Sequence, residues 1–357
     1  MLKSYNTRPV IAVWLSILLI SVAVLVLPEW TESLTFEYNG FVIDDQKVQS
    51  EPDIAVSGSG DNAEVYVVYE DQSFSPDTHV IFRRSDDAGD TFRSKHDFLP
   101  DDYVSGDTTR FPAMDNEGER IVVVYLDSQW RIDATRKYLL RSAYTDDGGD
   151  TWFYSNITPY GSDYPNNKMS YPDVSIDPEG NIFAVWIESS RVYISYSVDN
   201  GSQWSDPQRV KEHVDPGMQG YVLGSPSVAS TGEEVVVAWY GNPDWKEYVY
   251  TSHADIDPLT SSLSFSDPEI VREFFYEMGE GWYPRIVSND TGFYIAWWDF
   301  NSDASGTYEQ LLKDRASILY SSRGNGKDSF SVEGKEFAVV NTSEPEGWHS
   351  APDIAVT

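Results

Sequence analysis

The chain has 357 residues, enough for one large domain or two ordinary ones around a substantial core. Its 58 acidic against 25 basic side chains leave a formal net charge of -33, which repels nucleic acid and anionic bilayer surfaces as partners. With 23 Tyr, 16 Phe and 12 Trp it is too aromatic for a disordered acidic chain, and with no Cys it has no disulfide, thiol nucleophile or thiolate metal site.

The first predicted element is "VIAVWLSILLISVAVLVL" at 10–27, an uncharged apolar run. At helical rise it matches a hydrocarbon core about 30 Å thick. Lys3 and Arg8 precede it and Glu29 and Glu32 follow, so the positive-inside bias keeps the short tail in the cytoplasm and puts the rest outside. A cleaved signal peptide is the rival reading. No small-x-small site follows the run, which favours an uncleaved anchor. Sequons at Asn156, Asn200, Asn289 and Asn341 are compatible with an exported face.

After residue 28 helical periodicity disappears and one phrase recurs. "EPDIAV" at 51–56 is followed by "FPAMD" (111–115), "YPDVSID" (171–177), "SPSVAS" (225–230), "YPRIVS" (283–288) and "APDIAV" (351–356). The prolines at 52, 112, 172, 226, 284 and 352 are spaced 60, 60, 54, 58 and 68 residues apart, enclosing five full repeats. Each repeat continues with a polar Gly/Asp/Asn turn, an apolar second strand such as "IVVVYLD" or "FYIAWWD", and a third strand such as "HVIFRRS". Four short antiparallel strands per repeat is the pattern of a β-propeller blade. Residues 34–49 resemble an outer strand before the first repeat, and the chain ends at Thr357 just after the sixth proline phrase. The expected architecture is all-β: five full blades plus an incomplete sixth shared by the two ends. The expected organisation is a cytoplasmic tail (1–8), a transmembrane signal-anchor helix (9–28) and the propeller (29–357).

Between third and fourth strands stands a second phrase. Ser85, Asp87, Gly89 and Phe92 recur as Thr145, Asp147, Gly149 and Trp152, and again as Ser197, Asp199, Gly201 and Trp204. A worn copy, "SSRGNGKDSF", occupies 321–330. The chemistry is that of a hairpin: glycine takes positive φ, aspartate accepts backbone amides across the turn, and the aromatic ring fastens the loop. Calcium is the rival occupant, but the ligand ladder of a helix-flanked calcium loop is missing. No cofactor or metal is expected, calcium being the one candidate.

This phrase resembles the Asp box, or bacterial neuraminidase repeat, of the sialidase superfamily of six-bladed propellers, and the resemblance spans nearly all of 34–357. It implies a site on the face where inner strands begin and second strands end, with the boxes on the opposite face. Second-strand ends carry Glu70, Asp71, Asp127, Glu188, Trp239, Tyr240, Trp297, Trp298 and Asp299. Inner-strand starts carry Glu51, Arg110, Phe111, Tyr171, Trp282, Tyr283, Arg285, Trp348 and His349. Rings that stack on sugar faces, with carboxylates that accept from hydroxyls, make Glu188, Trp239, Tyr240, Trp282, Tyr283, Trp297, Trp298 and Asp299 the candidate ligand contacts.

"TRFPAM" resembles the motif by which sialidases place the first of three arginines on a substrate carboxylate, which implies that role for Arg110 and a general acid at Asp127 or Asp133. Arg285 would be a second arginine, although it follows its proline instead of preceding it. No third arginine stands in "WHSAPDIAV", and no tyrosine nucleophile can be named, although Glu277 or Glu280 could assist one. The expected function is therefore a membrane-anchored, extracytoplasmic propeller that binds glycans or a cell-surface protein. A sialidase-type exo-glycoside hydrolase is the alternative, and an architectural surface protein a further one. The expected location is the cell membrane, single-pass, with the propeller outside the cytoplasm.

Overall fold

The computed structural model describes residues 23–24, 49–72, 77–99, 107–130, 136–158, 169–210, 224–241, 247–256, 263–274, 284–300, 316–324, 330 and 354–355. Two short strands, β1 (Ala23–Val24) and β21 (Ile354–Ala355), pair in parallel. Between them the repeats form a series of antiparallel sheets, each made from consecutive strands. The first contains β2 (Gln49–Ser57), β3 (Glu64–Asp71), β4 (His79–Ser85) and β5 (His96–Asp97). The second contains β6 (Thr108–Glu117), β7 (Arg120–Trp130), β8 (Arg136–Thr145) and β9 (Phe153–Asn156). The third contains β10 (Met169–Ile176), β11 (Ile182–Glu188), β12 (Arg191–Ser197) and β13 (Gln208–Arg209). The fourth contains β14 (Ser227–Ser230), β15 (Glu234–Gly241), β16 (Glu247–Asp255) and β17 (Glu269–Phe274). The fifth has three described strands, β18 (Arg285–Asn289), β19 (Gly292–Phe300) and β20 (Ala316–Gly324).

The second, third and fourth sheets are covered on both faces by their neighbours, so their second strands are apolar without alternation. Every residue of β15 is buried. The core is divided among the seams between sheets. Tyr66, Val68 and Phe82 of the first sheet pack with Ile121, Val123 and Tyr125 of the second. Val122, Leu126 and Leu140 pack with Val174, Ile182 and Trp186, and the two later seams repeat the arrangement.

Inner strands are also tied by side chains. Asp53 Oδ2 accepts the Met114 amide (2.7 Å), Asp115 Oδ2 the Ile176 amide (2.8 Å) and Asp173 Oδ2 the Val228 amide (2.9 Å). Ser227 Oγ takes the same part for the Ile286 amide (3.1 Å). Because all four links run from one sheet to the next, the first strands are the innermost ones.

The recurring proline marks a bulge. Ladder register shifts between Ser50 and Asp53, between Arg110 and Ala113, and between Ser170 and Asp173. The residue before each of the first three prolines is left-handed: Glu51 at φ 49, Phe111 at φ 51 and Tyr171 at φ 52. Side-chain-bearing residues seldom adopt this conformation, so its repetition at equivalent positions is a built feature.

No helix among the described residues is long and apolar enough to cross a membrane. The predicted anchor at 9–28 lies outside the described residues except for Ala23–Val24, which form strand β1 and are not helical there. Residues 34–48, read as an outer strand, also lie outside them. Ile354–Ala355, from the sixth proline phrase, lie beside β18.

Candidate functional site

The three loops after β4, β8 and β12 share one hydrogen-bond set. Ser85 Oγ donates to Asp87 Oδ1 (2.7 Å) and accepts the Gly89 amide (2.8 Å), while Asp87 Oδ1 also accepts the Thr91 amide (2.8 Å). Thr145, Asp147, Gly149 and Thr151 repeat these contacts, as do Ser197, Asp199, Gly201 and Gln203. Gly89, Gly149 and Gly201 have φ of 94, 96 and 72. The aromatic of each later loop reaches the preceding sheet. Trp152 packs on Phe82 with ring centroids 5.0 Å apart, and Trp204 Nε1 donates to Ser142 Oγ (3.1 Å) and Ser155 Oγ (3.0 Å). Bonded to backbone amides and hydroxyls of their own loops, these carboxylates serve the turn. Their hydrogen bonds push the Asp147 carboxyl down to about 2.

At the other end of the same strands a different chemistry collects. Asp71 pairs with His79 where β3 gives way to β4, whereas Ser85 closes β4 at the loop, so strand direction separates the two ends. Glu70, wholly buried, accepts the Phe111 amide on Oε1 (2.8 Å) and the Ser50 hydroxyl on Oε2 (3.1 Å). It thereby fixes the bulged starts of its own sheet and of the next. Arg110 Nε lies 3.5 Å from the same Oε1, and its guanidinium sits over the Phe111 ring at 4.9 Å. The Arg110 side chain is 42% exposed, and its terminal nitrogens have no partner among the described residues. Phe111 in turn meets Tyr171, ring centroids 5.5 Å apart.

Arg285, from the fifth sheet, reaches Asp173 of the third: its Nη1 lies 3.3 Å from Asp173 Oδ1. That contact skips the fourth sheet. Glu51, from the first sheet, feels both guanidinium groups. The surrounding protein pushes its carboxyl up by excluding water and Glu70 adds to this, while Arg110 and Arg285 pull the other way. Four sheets thus place charged groups near the starts of their inner strands, Arg110 on Glu70 and Arg285 on Asp173.

Other expected residues lie elsewhere. Asp127 is wholly buried, and its Oδ2 accepts from Arg141 Nε (2.6 Å). It neutralises an arginine inside the second sheet and has no surface open to solvent through which to protonate a leaving group. Trp239, Tyr240 and Trp297 are core residues, exposed by 2%, 1% and 5%. Trp239 stacks on Tyr250 with centroids 5.7 Å apart. As ligand contacts these three are corrected, because a second strand covered on both faces has no outward side to offer. Glu188 is half-buried at the end of β11, before the tight turn at Ser189 and Ser190. Asp133, Trp282 and Tyr283 lie outside the described residues, as do the side chains of Trp298 and Asp299 in β19. No group of metal-ligating side chains occurs among the described residues.

Glu51, Glu70, Phe111 and Tyr171 stood in the sequence only as members of long rolls of strand ends, and Asp173 was missed. Their signal was positional: Glu51, Phe111 and Tyr171 each precede the repeat proline.

Stacked antiparallel sheets around an axis, tied at their inner strands, define a sialidase-like β-propeller fold. No protein-family model matches the sequence, and no curated protein does. Among solved structures, the NanB sialidase of Streptococcus pneumoniae superposes with a TM-score of 0.52 at 8% identity, over 82% of this chain and 62% of that one. This chain therefore spans less than two thirds of the length of that enzyme. The GH32 β-fructofuranosidase BmSUC1 of Bombyx mori follows at a TM-score of 0.42 and 14% identity, covering 79% of this chain and 62% of that one. The arabinanase Arb43A of Bacillus subtilis follows at 0.39 and 12%, covering 78% and 94%. At these identities the likeness concerns the fold alone.

Proposed function

We propose that the chain is a six-bladed propeller, held to the membrane by 9–28 with the blades outside the cytoplasm, that binds a carboxylate-bearing glycan at its axial mouth. One observation carries this reading: Arg110 presents a solvent-exposed guanidinium over the Phe111 ring. A guanidinium fork grips a carboxylate in two places, and the adjoining rings Phe111 and Tyr171 offer apolar faces to a pyranose. Burial of Asp127 beside Arg141 favours binding over hydrolysis by that residue, since its carboxylate has no solvent access.

The test uses the full chain in detergent on an array carrying neutral and acidic glycans. Selective capture of acidic glycans, weakened at least about tenfold by Arg110→Ala, is the expected result, because a charge-assisted pair contributes about 1.5–3 kcal/mol. Equal capture by the variant overturns it.

Hydrolysis of sialidase type is the second reading, favoured by the presence of two arginines, Arg110 and Arg285, near the starts of inner strands. Release of fluorophore from an aryl sialoside, abolished by Arg110→Ala, would establish it in place of simple binding.

A further inference from the structure

The loop after β12 differs from its two counterparts in what it shows to solvent. Its hydrogen bonds run through alternate residues, Ser197, Asp199, Gly201 and Gln203, which leaves the residues between them outward. Val198, Asn200 and Ser202 are all exposed, and Val198, at 65%, is the most exposed large apolar side chain among the described residues. In the loops after β4 and β8 the same outward positions hold exposed carboxylates, Asp86 and Asp90 in one, Asp146 and Asp150 in the other. Carboxylates keep such a tip hydrated, and the third tip has none among its outward residues, in a chain of net charge -33. Asn200-Gly201-Ser202 is instead an acceptor triplet for N-linked sugar. Neither the Asn200 amide nor the Ser202 hydroxyl has a hydrogen-bond partner among the described residues. The other two described triplets are less open. At Asn156 the paired hydroxyl, Thr158 Oγ1, is buried and accepts the Leu140 amide (3.0 Å). Asn289 is half-buried, and its Oδ1 accepts both the Thr291 amide (2.9 Å) and the Thr291 hydroxyl (2.7 Å).

We infer that Asn200 is a site of N-linked glycosylation, used on the folded chain in preference to Asn156 and Asn289. The inference rests on the outward placement of the blades and is independent of what the mouth binds. In the transfer, Asn200 Nδ2 bonds to the anomeric carbon of an oligosaccharide carried on a polyprenyl phosphate or pyrophosphate. The bond from that carbon to the phosphate oxygen breaks, the lipid phosphate leaves with the electron pair, and Nδ2 gives up one proton to a base of the transferase. The loop keeps its shape, because none of its hydrogen bonds uses the Asn200 side chain. The sugar stands away from the mouth. Met169 pairs with Glu188, and Glu188 with Arg191, at the inner-strand start of this sheet, whereas Ser197 pairs with Ile182 at the opposite end, where the loop begins. An oligosaccharide there hydrates the uncharged tip and covers Val198 while leaving Arg110 open.

Mass spectrometry of peptides from the full chain, isolated from the cells that make it, tests this. The peptide containing Asn200 should carry the added mass of whole sugar residues, and those containing Asn156 and Asn289 none. Asn200→Gln should lose the added mass. Asn200 is left-handed at φ 59, where glutamine is less at ease, so Ser202→Ala supplies a second variant: it keeps the asparagine and the loop's hydrogen bonds and should lose the sugar equally. Placement of the blades is read separately. The chain has no cysteine, so Ser94→Cys, at an exposed position, gives a single thiol for a membrane-impermeant maleimide applied to intact cells. Labelling of that thiol together with an unmodified Asn200 overturns the site and leaves the outward placement standing. Absence of both label and sugar overturns the placement, and the site with it. Sugar on Asn156 or Asn289 to the same extent as on Asn200 overturns the preference drawn from the folded loop.

Discussion

Asp115 Oδ2 accepts the backbone amide of Ile176, 2.8 Å away in the next sheet, and Asp53 and Asp173 stand close enough to raise its carboxyl further. Burial is the larger cause, and together they push it up to about 7, although the Ile176 and Asn116 amides oppose the shift. In the unfolded chain an aspartate titrates at about 3.9. The folded chain therefore holds this proton more tightly, and the stability it contributes is complete below about pH 4 and lost as pH rises through about 7. Urea midpoints measured from pH 4 to 8 should fall less steeply for Asp115→Asn, which keeps an acceptor for Ile176, than for the parent. Parallel profiles would refute this.

Gly149 combines a left-handed backbone with a crowded site. Its φ is 96, and a Cβ placed there would lie 2.6 Å from Phe82 Cε1 in the preceding sheet. Gly149→Ala should cost about 2 kcal/mol or more through strain plus clash. Gly60, at φ 72 with nothing within 4 Å, isolates the strain: Gly60→Ala should cost only about 1 kcal/mol. Thermal melts of the two variants would rank them.

The Arg141–Asp127 pair separates structure from chemistry. Arg141→Leu removes the guanidinium that pairs with the buried Asp127 carboxylate and should cost about 3–5 kcal/mol, whereas adding Asp127→Leu should restore part of the loss. Chemical denaturation of the single and double variants provides the cycle.

Trp239→Ala should lower stability by about 3–5 kcal/mol, as expected for a ring lost from a packed core. Glycan affinity of the fraction that remains folded should not change. A selective loss of binding with normal unfolding would return Trp239 to the ligand.

The fold was legible because a propeller repeats its punctuation. The proline before Asp53 and Asp173, and the spacing of Asp87, Asp147 and Asp199, recur in register whatever the intervening residues. The site was less legible. In an amphipathic strand alternation separates ligand-facing from core residues, but in β15 all positions are buried, so Trp239 and Tyr240 looked like a rim while serving as core. Asp127 looked like an acid because its partner, Arg141, lies on the next strand and pairs diagonally. Glu51 emerges only when "EPD" is laid over "FPA" and "YPD", which identifies it as the counterpart of two aromatics on the same bulge. The Arg285–Asp173 contact, 112 residues apart, could not be read from either local segment.

The links from Asp53, Asp115 and Asp173 share a direction, each inner strand reaching forward to an amide of its successor. A unit that carries a hook on one flank and an eye on the other is compatible with a copy of itself. When such a segment is duplicated in tandem, the new joint already fits. The ring could then have grown by simple copying, each blade bringing its own fastening, with chemistry left to diverge afterwards at the mouth.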